Sequence, residues 1–180
     1  MRVHSTDLGS AIIHILRTEV STHQPITGHK LTILRRMLLL FIEFVKVSPV
    51  IDKAVMRLEE MTRKTDSIAT HTEWVVMLDE SRIPQVQPHP WIQCAGSKPW
   101  LRGYPCGLWS LFHTIMAGAT SSTKPDDAQL AFAKDQTDPL VVTGDKKGRD
   151  ALASIALYIG TFFGCEECVE NFKIEYAVFT

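Results

Sequence analysis

The sequence predicts an all-α fold, and two features of the chain carry that prediction. Apolar residues recur three and four positions apart through successive segments, which places them on one face of a helix. Prolines and polar turn residues fall between these segments instead of inside them. With 180 residues, 45% of them hydrophobic, the chain is long enough for one core, or for a core with an appended helical subdomain.

The first half of the chain contains four predicted helices whose ends are marked by turn and capping residues. Asp7 is the expected N-cap of the first helix, and Gln24-Pro25 interrupts the periodic pattern that follows. Ser48-Pro49 ends the second helix and starts the third, since proline suits the first turn of a helix. The predicted helices cover residues 7–20, 27–47, 49–63 and 72–80. Their apolar stripes indicate core packing.

A proline-rich stretch over residues 83–105 separates the two halves. Its five prolines exclude a regular helix, yet its tryptophans and aliphatic residues indicate a loop laid across a core. Cys94 lies inside this loop and Cys106 directly after it, and an unstrained disulfide between them would staple the loop and stabilise the fold by roughly 3 kcal/mol. We take residues 83–93 as the linker between a first unit, 1–82, and a second unit, 94–180.

The second unit ends in a C-x-x-C motif, Cys165 and Cys168, that follows two more predicted helices. Those helices cover residues 106–120 and 150–163, with a polar connection over 121–149. The motif is typical of a dithiol/disulfide switch or of half a metal site. It opens a further helix, where the helix dipole favours the reactive thiolate at the first cysteine.

Charge and hydropathy exclude several function classes. The 19 basic and 20 acidic residues give a formal charge of −1 without a basic stripe, so nucleic acid is a poor partner. The most apolar run, 37–42, is too short to span a bilayer. The polar start of the chain, MRVHSTDLGS, is not a signal peptide, so either the protein is not exported or its targeting segment lies upstream.

Two phrases of the sequence resemble the Erv/ALR family of flavin-dependent sulfhydryl oxidases, most nearly the carboxyl-terminal half of the quiescin enzymes. They are WIQCAGSKPWLRGYPCGLWSLFH and, some fifty residues later, FFGCEECVENF. Shared elements are a tryptophan before a cysteine, an R-G-x-P-C, an L-W-x-L-F-H helix and an aromatic approach to C-x-x-C. The segment DLGSAIIHILRTEV resembles the degenerate helical subdomain of the quiescin enzymes. The resemblance implies an Erv/ALR-like helical bundle over 94–180, preceded by a second helical subdomain.

The resemblance also implies a function and a set of site residues. It implies an FAD-dependent thiol oxidase of the secretory pathway, which oxidises thioredoxin-like protein dithiols and reduces O₂ to H₂O₂. Cys165 would exchange with the substrate and Cys168, one turn deeper, would face the flavin, while Cys94 and Cys106 would form a structural disulfide. The residues implied to contact FAD are Arg102, Trp109, His113, Glu167 and Asn171.

Departures from the family pattern keep two alternatives open. Asn171 stands where many members have histidine, and the H-N-x-V-N-x-R-L-like helix expected after the C-x-x-C is absent. With no upstream thioredoxin-like domains either, we expect a truncated oxidase that binds FAD weakly or not at all. One alternative is a catalytically inactive helical interaction module. The other is a structural zinc site formed by the four cysteines, since thiolate quartets suit Zn²⁺.

Overall fold

A computed structural model of the chain describes residues 3–85, 90–98, 102–121 and 146–178, with side chains as far as residue 174. Seven α-helices make up most of this described part, which confirms the all-α class. Their bounds are α1 Ser5–His14, α2 Gly28–Phe44, α3 Pro49–Arg63, α4 His71–Ser81, α5 Gly103–Ser121, α6 Lys146–Phe162 and α7 Glu166–Val178. Most of the polar connection predicted over 121–149 lies outside the described residues. None of the helices described is long and apolar enough to cross a membrane.

The N-cap prediction for Asp7 is wrong. Helix α1 begins at Ser5, and the side chain of His4 accepts the N–H of Thr6 as the cap. Asp7 lies inside the first turn with 1% of its surface exposed. Its carboxylate accepts the backbone N–H groups of three consecutive loop residues at 2.7, 2.8 and 2.8 Å, namely Ile92, Gln93 and Cys94. The carboxylate therefore anchors the loop before α5 instead of capping its own helix.

Helix α1 continues into a π-helical segment over Ile15–Glu19 and a 3₁₀ turn over Val20–Thr22. The carbonyl of Leu16 in this segment accepts the indole N–H of the fully buried Trp74 at 2.9 Å. Helix α4, which carries Trp74, is thereby fixed against the π segment. π-helical turns are uncommon and occur often at functional sites. This one ends on a residue that reaches the C-x-x-C region, as described below.

A two-stranded antiparallel ribbon, which the sequence did not predict, joins the loops before α2 and α4. Strand β1, Ile26–Thr27, pairs with β2, Ser67–Ile68, and Ile26 lies opposite Ile68. Both isoleucines are buried. Strands of two residues are too short to produce a recognisable alternation in the sequence. The ribbon closes one end of the helical core and leaves the fold class unchanged.

One continuous apolar core joins the two halves of the chain. Helix α5 packs on α1, and α6 packs on α2 and α5. The core includes buried residues from every helix, for example Leu16, Leu34, Leu58, Trp74, Leu111, Ile155, Phe162 and Val169. Gly107 allows the close approach at one of these contacts, because a Cβ there would lie 2.4 Å from the ring of Trp91. The division into units at residues 83–93 stays a prediction, with a shared core across it.

Candidate redox site

Cys165 is the N-cap residue of helix α7. Its carbonyl accepts the N–H of Val169 at 2.9 Å, and its Sγ accepts the N–H of Cys168 at 3.3 Å. The second contact is the one that a serine or aspartate side chain makes at an N-cap. Cys165 and Cys168 are joined by a disulfide, with their Cα atoms 5.2 Å apart. After reduction, a thiolate at Cys165 would lie at the positive end of the helix dipole and accept the same N–H.

Both cysteines of this pair are at least partly exposed: Cys168 is exposed and Cys165 is half-buried. Helix α7 buries its Val169 side and turns the Cys168 side outward. The expectation that Cys168, one turn further along the helix, faces the flavin stays a prediction. The pair is placed for attack by a thiol of another molecule. Glu167, in the first turn of α7, is also exposed.

The exposed face of α5 carries two of the residues expected at FAD, and a third directly precedes the helix. Trp109 is 49% exposed, a large apolar ring left half open to solvent. His113, one turn further on, places its Nδ1 2.7 Å from the carbonyl of Trp109. Because a carbonyl only accepts, Nδ1 carries the proton and Nε2 is left as an acceptor in the neutral ring. Arg102 directly precedes the helix, in the left-handed conformation with φ 67°, and its guanidinium lies 3.5 Å from the Sγ of Cys106.

Helix α7, which begins within the C-x-x-C motif, packs beside this face of α5. The ring of Phe172 lies 6.4 Å from that of Trp109, centroid to centroid, and Trp109 also contacts Phe112 edge-on at 5.9 Å. Asn171, next to Phe172, is exposed. Trp109, His113 and the α7 residues therefore share one side of the bundle. Within the described ranges no hydrogen bond joins Glu167 or Asn171 to the α5 residues.

The other two cysteines, Cys94 and Cys106, form a second disulfide with Cα atoms 5.5 Å apart. Cys94 is buried, and the bond ties the loop held by Asp7 to the first turn of α5. All four sulfurs are thus paired with one another in two separate bonds. Among the described residues no three cysteine, histidine or acidic side chains converge as metal ligands. This arrangement argues against the zinc alternative.

The structure adds to the site a group of residues that the sequence did not indicate. The carboxylate of Glu19, at the end of the π segment, accepts the N–H of Gly164 at 2.7 Å, directly before Cys165. Burial raises the pKa of Glu19, and the Gly164 N–H and the charge of His23 partly offset that rise. The hydroxyls of Tyr104 and Tyr158 are buried, and each affects the pKa of the other. Glu19 and Gly164 are 145 positions apart, so no local pattern could have paired them.

The chain is a helical protein with a partly exposed disulfide at a helix N-terminus, beside an exposed aromatic face. This arrangement is typical of proteins that carry out thiol–disulfide exchange. The comparisons with known proteins place the chain more closely. The chain matches the sequence model of the flavin adenine dinucleotide (FAD)-dependent sulfhydryl oxidases over residues 1–97, more than half its length, and it belongs to that family. The cofactor of the family is FAD.

Individual relatives extend the likeness over nearly the whole chain. It is 30% identical to human sulfhydryl oxidase 2 over 177 residues and 31% identical to the mouse protein, covering 96% of this chain in each case. It spans about a quarter of the length of these relatives, 24%. Among solved structures, the sulfhydryl oxidase fragment of human QSOX1 matches with a TM-score of 0.76 at 25% identity. That match covers 98% of this chain and 65% of the fragment.

Proposed function

We propose that this chain carries an FAD-linked sulfhydryl oxidase site in which Cys165 and Cys168 take electrons from protein dithiols. The observation that supports this best is the position of Cys165 at the N-cap of α7, with its Sγ on the Cys168 N–H. A thiolate at Cys165 is stabilised there, which makes Cys165 a good leaving group when the second thiol of the substrate displaces it. Cys168 is also exposed and Cys165 partly exposed, so the pair lies at the surface.

The exchange proceeds in two displacements. A substrate thiolate attacks the sulfur of Cys165, forms a mixed disulfide and releases the thiolate of Cys168, which takes up a proton. The second thiol of the substrate loses its proton and displaces Cys165. The substrate leaves as a disulfide, and the pair is left as a dithiol that holds the two electrons. We assign Cys165 as the exchanging sulfur from the family resemblance. Cys165 is half-buried whereas Cys168 is exposed, so the experiment has to distinguish the two cysteines.

The face that α5 and α7 share fits a flavin. Trp109 presents a half-exposed ring, as a site for a flat aromatic group needs, and His113 leaves an acceptor beside it. Arg102 supplies a guanidinium able to bind a diphosphate through two hydrogen bonds, and Glu167 and Asn171 lie on the neighbouring helix. When bound, FAD supplies the acceptor that returns the dithiol to a disulfide and passes the electrons to O₂, giving H₂O₂.

The second disulfide has a structural part in this proposal. Cys94 is buried, so an attacking thiol reaches this bond less readily than the Cys165–Cys168 bond. It holds the loop of residues 90–98 to the start of α5, the helix that carries Trp109 and His113. Two disulfides in one chain fit an oxidising compartment, and we propose the secretory pathway with thioredoxin-like dithiols as substrates.

Oxygen uptake by the FAD-supplied protein, with a reduced thioredoxin-like protein as substrate, tests the proposal. Because we expect weak FAD binding, FAD is supplied in large excess; under these conditions we expect uptake in the parent chain and its loss in both Cys165→Ser and Cys168→Ser. Ala69→Ser, an exposed residue in the loop before α4, is the control and should behave as the parent. Uptake that survives both cysteine substitutions would exclude this pair as the redox centre. A folded parent that shows no uptake would favour the inactive interaction module.

A further inference from the structure

We propose that Glu19 is a positioning residue for the Cys165–Cys168 pair, so that the amino-terminal helical segment completes the redox site. The inference rests on the proposed function, and it adds a residue from outside the unit that carries the cysteines. Its basis is the hydrogen bond from the Gly164 N–H to Oε2 of Glu19, 2.7 Å long.

Gly164 is the residue through which the chain passes from α6 to α7. Helix α6 ends at Phe162 and Cys165 is the cap of α7, so two residues link the helices. A Cβ on Gly164 would lie 3.2 Å from Oε2 of Glu19, so the carboxylate packs closely against the backbone at this point. The position of Glu19 therefore fixes the direction in which the chain enters Cys165.

Glu19 is itself held on its backbone side. Its carbonyl accepts the hydroxyl of Thr22 at 2.9 Å, and Nδ1 of His23 lies 2.7 Å from the same oxygen. The π segment ends at Glu19, and its wider turn directs the residues around the helix axis differently from a regular α-helix. A carboxylate on a fixed backbone is able to hold a link of two residues, which a mobile surface glutamate would not do.

Two tyrosines with buried hydroxyls, on α5 and α6, respond to the charge of Glu19. Burial raises the pKa of Tyr104 on α5, and the negative charge of Glu19 adds to this effect. The pKa of Tyr158 on α6 is raised by burial first, then by Tyr104 and Glu19. The ring of His14 on α1 stacks on Tyr104 at 3.7 Å. The charge of Glu19 therefore acts on tyrosines of α5 and α6, while its carboxylate holds the Gly164 N–H before α7.

The chemical consequence concerns the Cys165 thiolate. Its stabilisation depends on the N–H of Cys168 and on alignment with the axis of α7. If Gly164 loses its acceptor, the link is released and Cys165 is no longer held at the cap. Charge interactions at a helix terminus are worth about 0.3–1 kcal/mol, which is about a two- to fivefold change in the thiolate equilibrium. We therefore expect the fraction of Cys165 that is thiolate at a given pH to fall about two- to fivefold.

The test measures the iodoacetamide alkylation rate of Cys165 against pH in a Cys168→Ser background, which leaves one free thiol and needs no flavin. Three substitutions of Glu19 separate hydrogen bonding from charge. Gln keeps an acceptor of the same reach without the charge, Asp keeps the charge with a shorter reach, and Ala removes both. Glu60→Gln and Glu60→Ala, on an exposed surface of α3, are the matched controls.

We expect the Asp and Ala variants to alkylate about two to five times more slowly at pH 7 than the Gln variant, which retains at least the parent rate. If Glu19→Ala fails to fold, the comparison of Glu19→Asp with Glu19→Gln still tests the positioning role. Equal rates in Gln and Asp, or Asp at the parent rate with Gln slowed, would overturn the positioning role. Loss of oxygen uptake in the cysteine variants is a separate result, so the proposed function stands or falls on its own test.

Discussion

The carboxylate of Asp7 offers a sharp test of how the two halves of the chain are joined. It is buried, and it accepts three backbone N–H groups from the loop that ends at Cys94. Its Oδ1 accepts Ile92, and its Oδ2 accepts both Gln93 and Cys94. Asp7→Asn keeps the shape of the side chain but replaces one accepting oxygen by a donating amide. At best, the remaining oxygen then accepts two of the three N–H groups.

The expected loss of stability follows from the hydrogen bonds that the loop loses. One N–H is left facing another donor, and an unsatisfied buried donor costs about 1–3 kcal/mol. The two surviving hydrogen bonds change from a charged to a neutral acceptor and become weaker. We therefore expect Asp7→Asn to lower the free energy of unfolding by about 2–4 kcal/mol. For a chain of this size that corresponds to a fall in melting temperature of about 5–15 °C.

Urea unfolding, followed by circular dichroism of the oxidised protein, measures this loss. Asp66→Asn, an identical change of an exposed aspartate, is the control and should stay within about 0.5 kcal/mol of the parent. The disulfide between Cys94 and Cys106 is intact in both variants, so the difference reports the carboxylate alone. If Asp7→Asn and Asp66→Asn unfold at the same urea concentration, the three hydrogen bonds do not anchor the loop.

Two further predictions concern packing and pH. Gly107→Ala places a methyl group 2.4 Å from the ring of Trp91, so thermal melting should show a loss of about 1–3 kcal/mol. Gly160→Ala, whose Cβ meets nothing within 4 Å in the described structure, should gain about 0.5–1 kcal/mol, and equal effects would refute the contact. Burial lowers the pKa of His14 below 6.5, so the unfolded chain binds its proton first as the pH falls. Stability should therefore drop below about pH 6.5, less so in His14→Gln, and parallel pH curves for the two proteins would contradict this.

The helices were predictable from the sequence because their signals are local. The helix predicted over 49–63 was found over Pro49–Arg63, with the side chain of Ser48 accepting the N–H of Ile51 as its cap. The C-x-x-C likewise opens a helix, as its setting indicated. In these places the residues that determine the structure lie within four positions of each other, so spacing alone identifies them.

Other features were missed where distant contacts decide the structure. Asp7 has the residue type of an N-cap, but the unpaired N–H groups of a loop more than eighty positions away bind its carboxylate instead. The approach of Glu19 to Gly164 depends on a π segment that no composition marks. The exposure of Cys168 depends on which side of α7 packs on the bundle. Each requires the tertiary arrangement, which one sequence does not contain.

The most direct test of the account is to find which disulfide an equimolar reduced thioredoxin-like substrate opens. The oxidised chain is mixed with the substrate, quenched with acid after a short time, alkylated and digested, and the labelled cysteines are identified by mass spectrometry. We predict label on Cys165 and Cys168, with the Cys94–Cys106 bond still intact and the substrate oxidised in equal amount. Label on Cys94 and Cys106 first, or a Cys165–Cys168 bond that stays closed, would contradict the assignment of the redox centre.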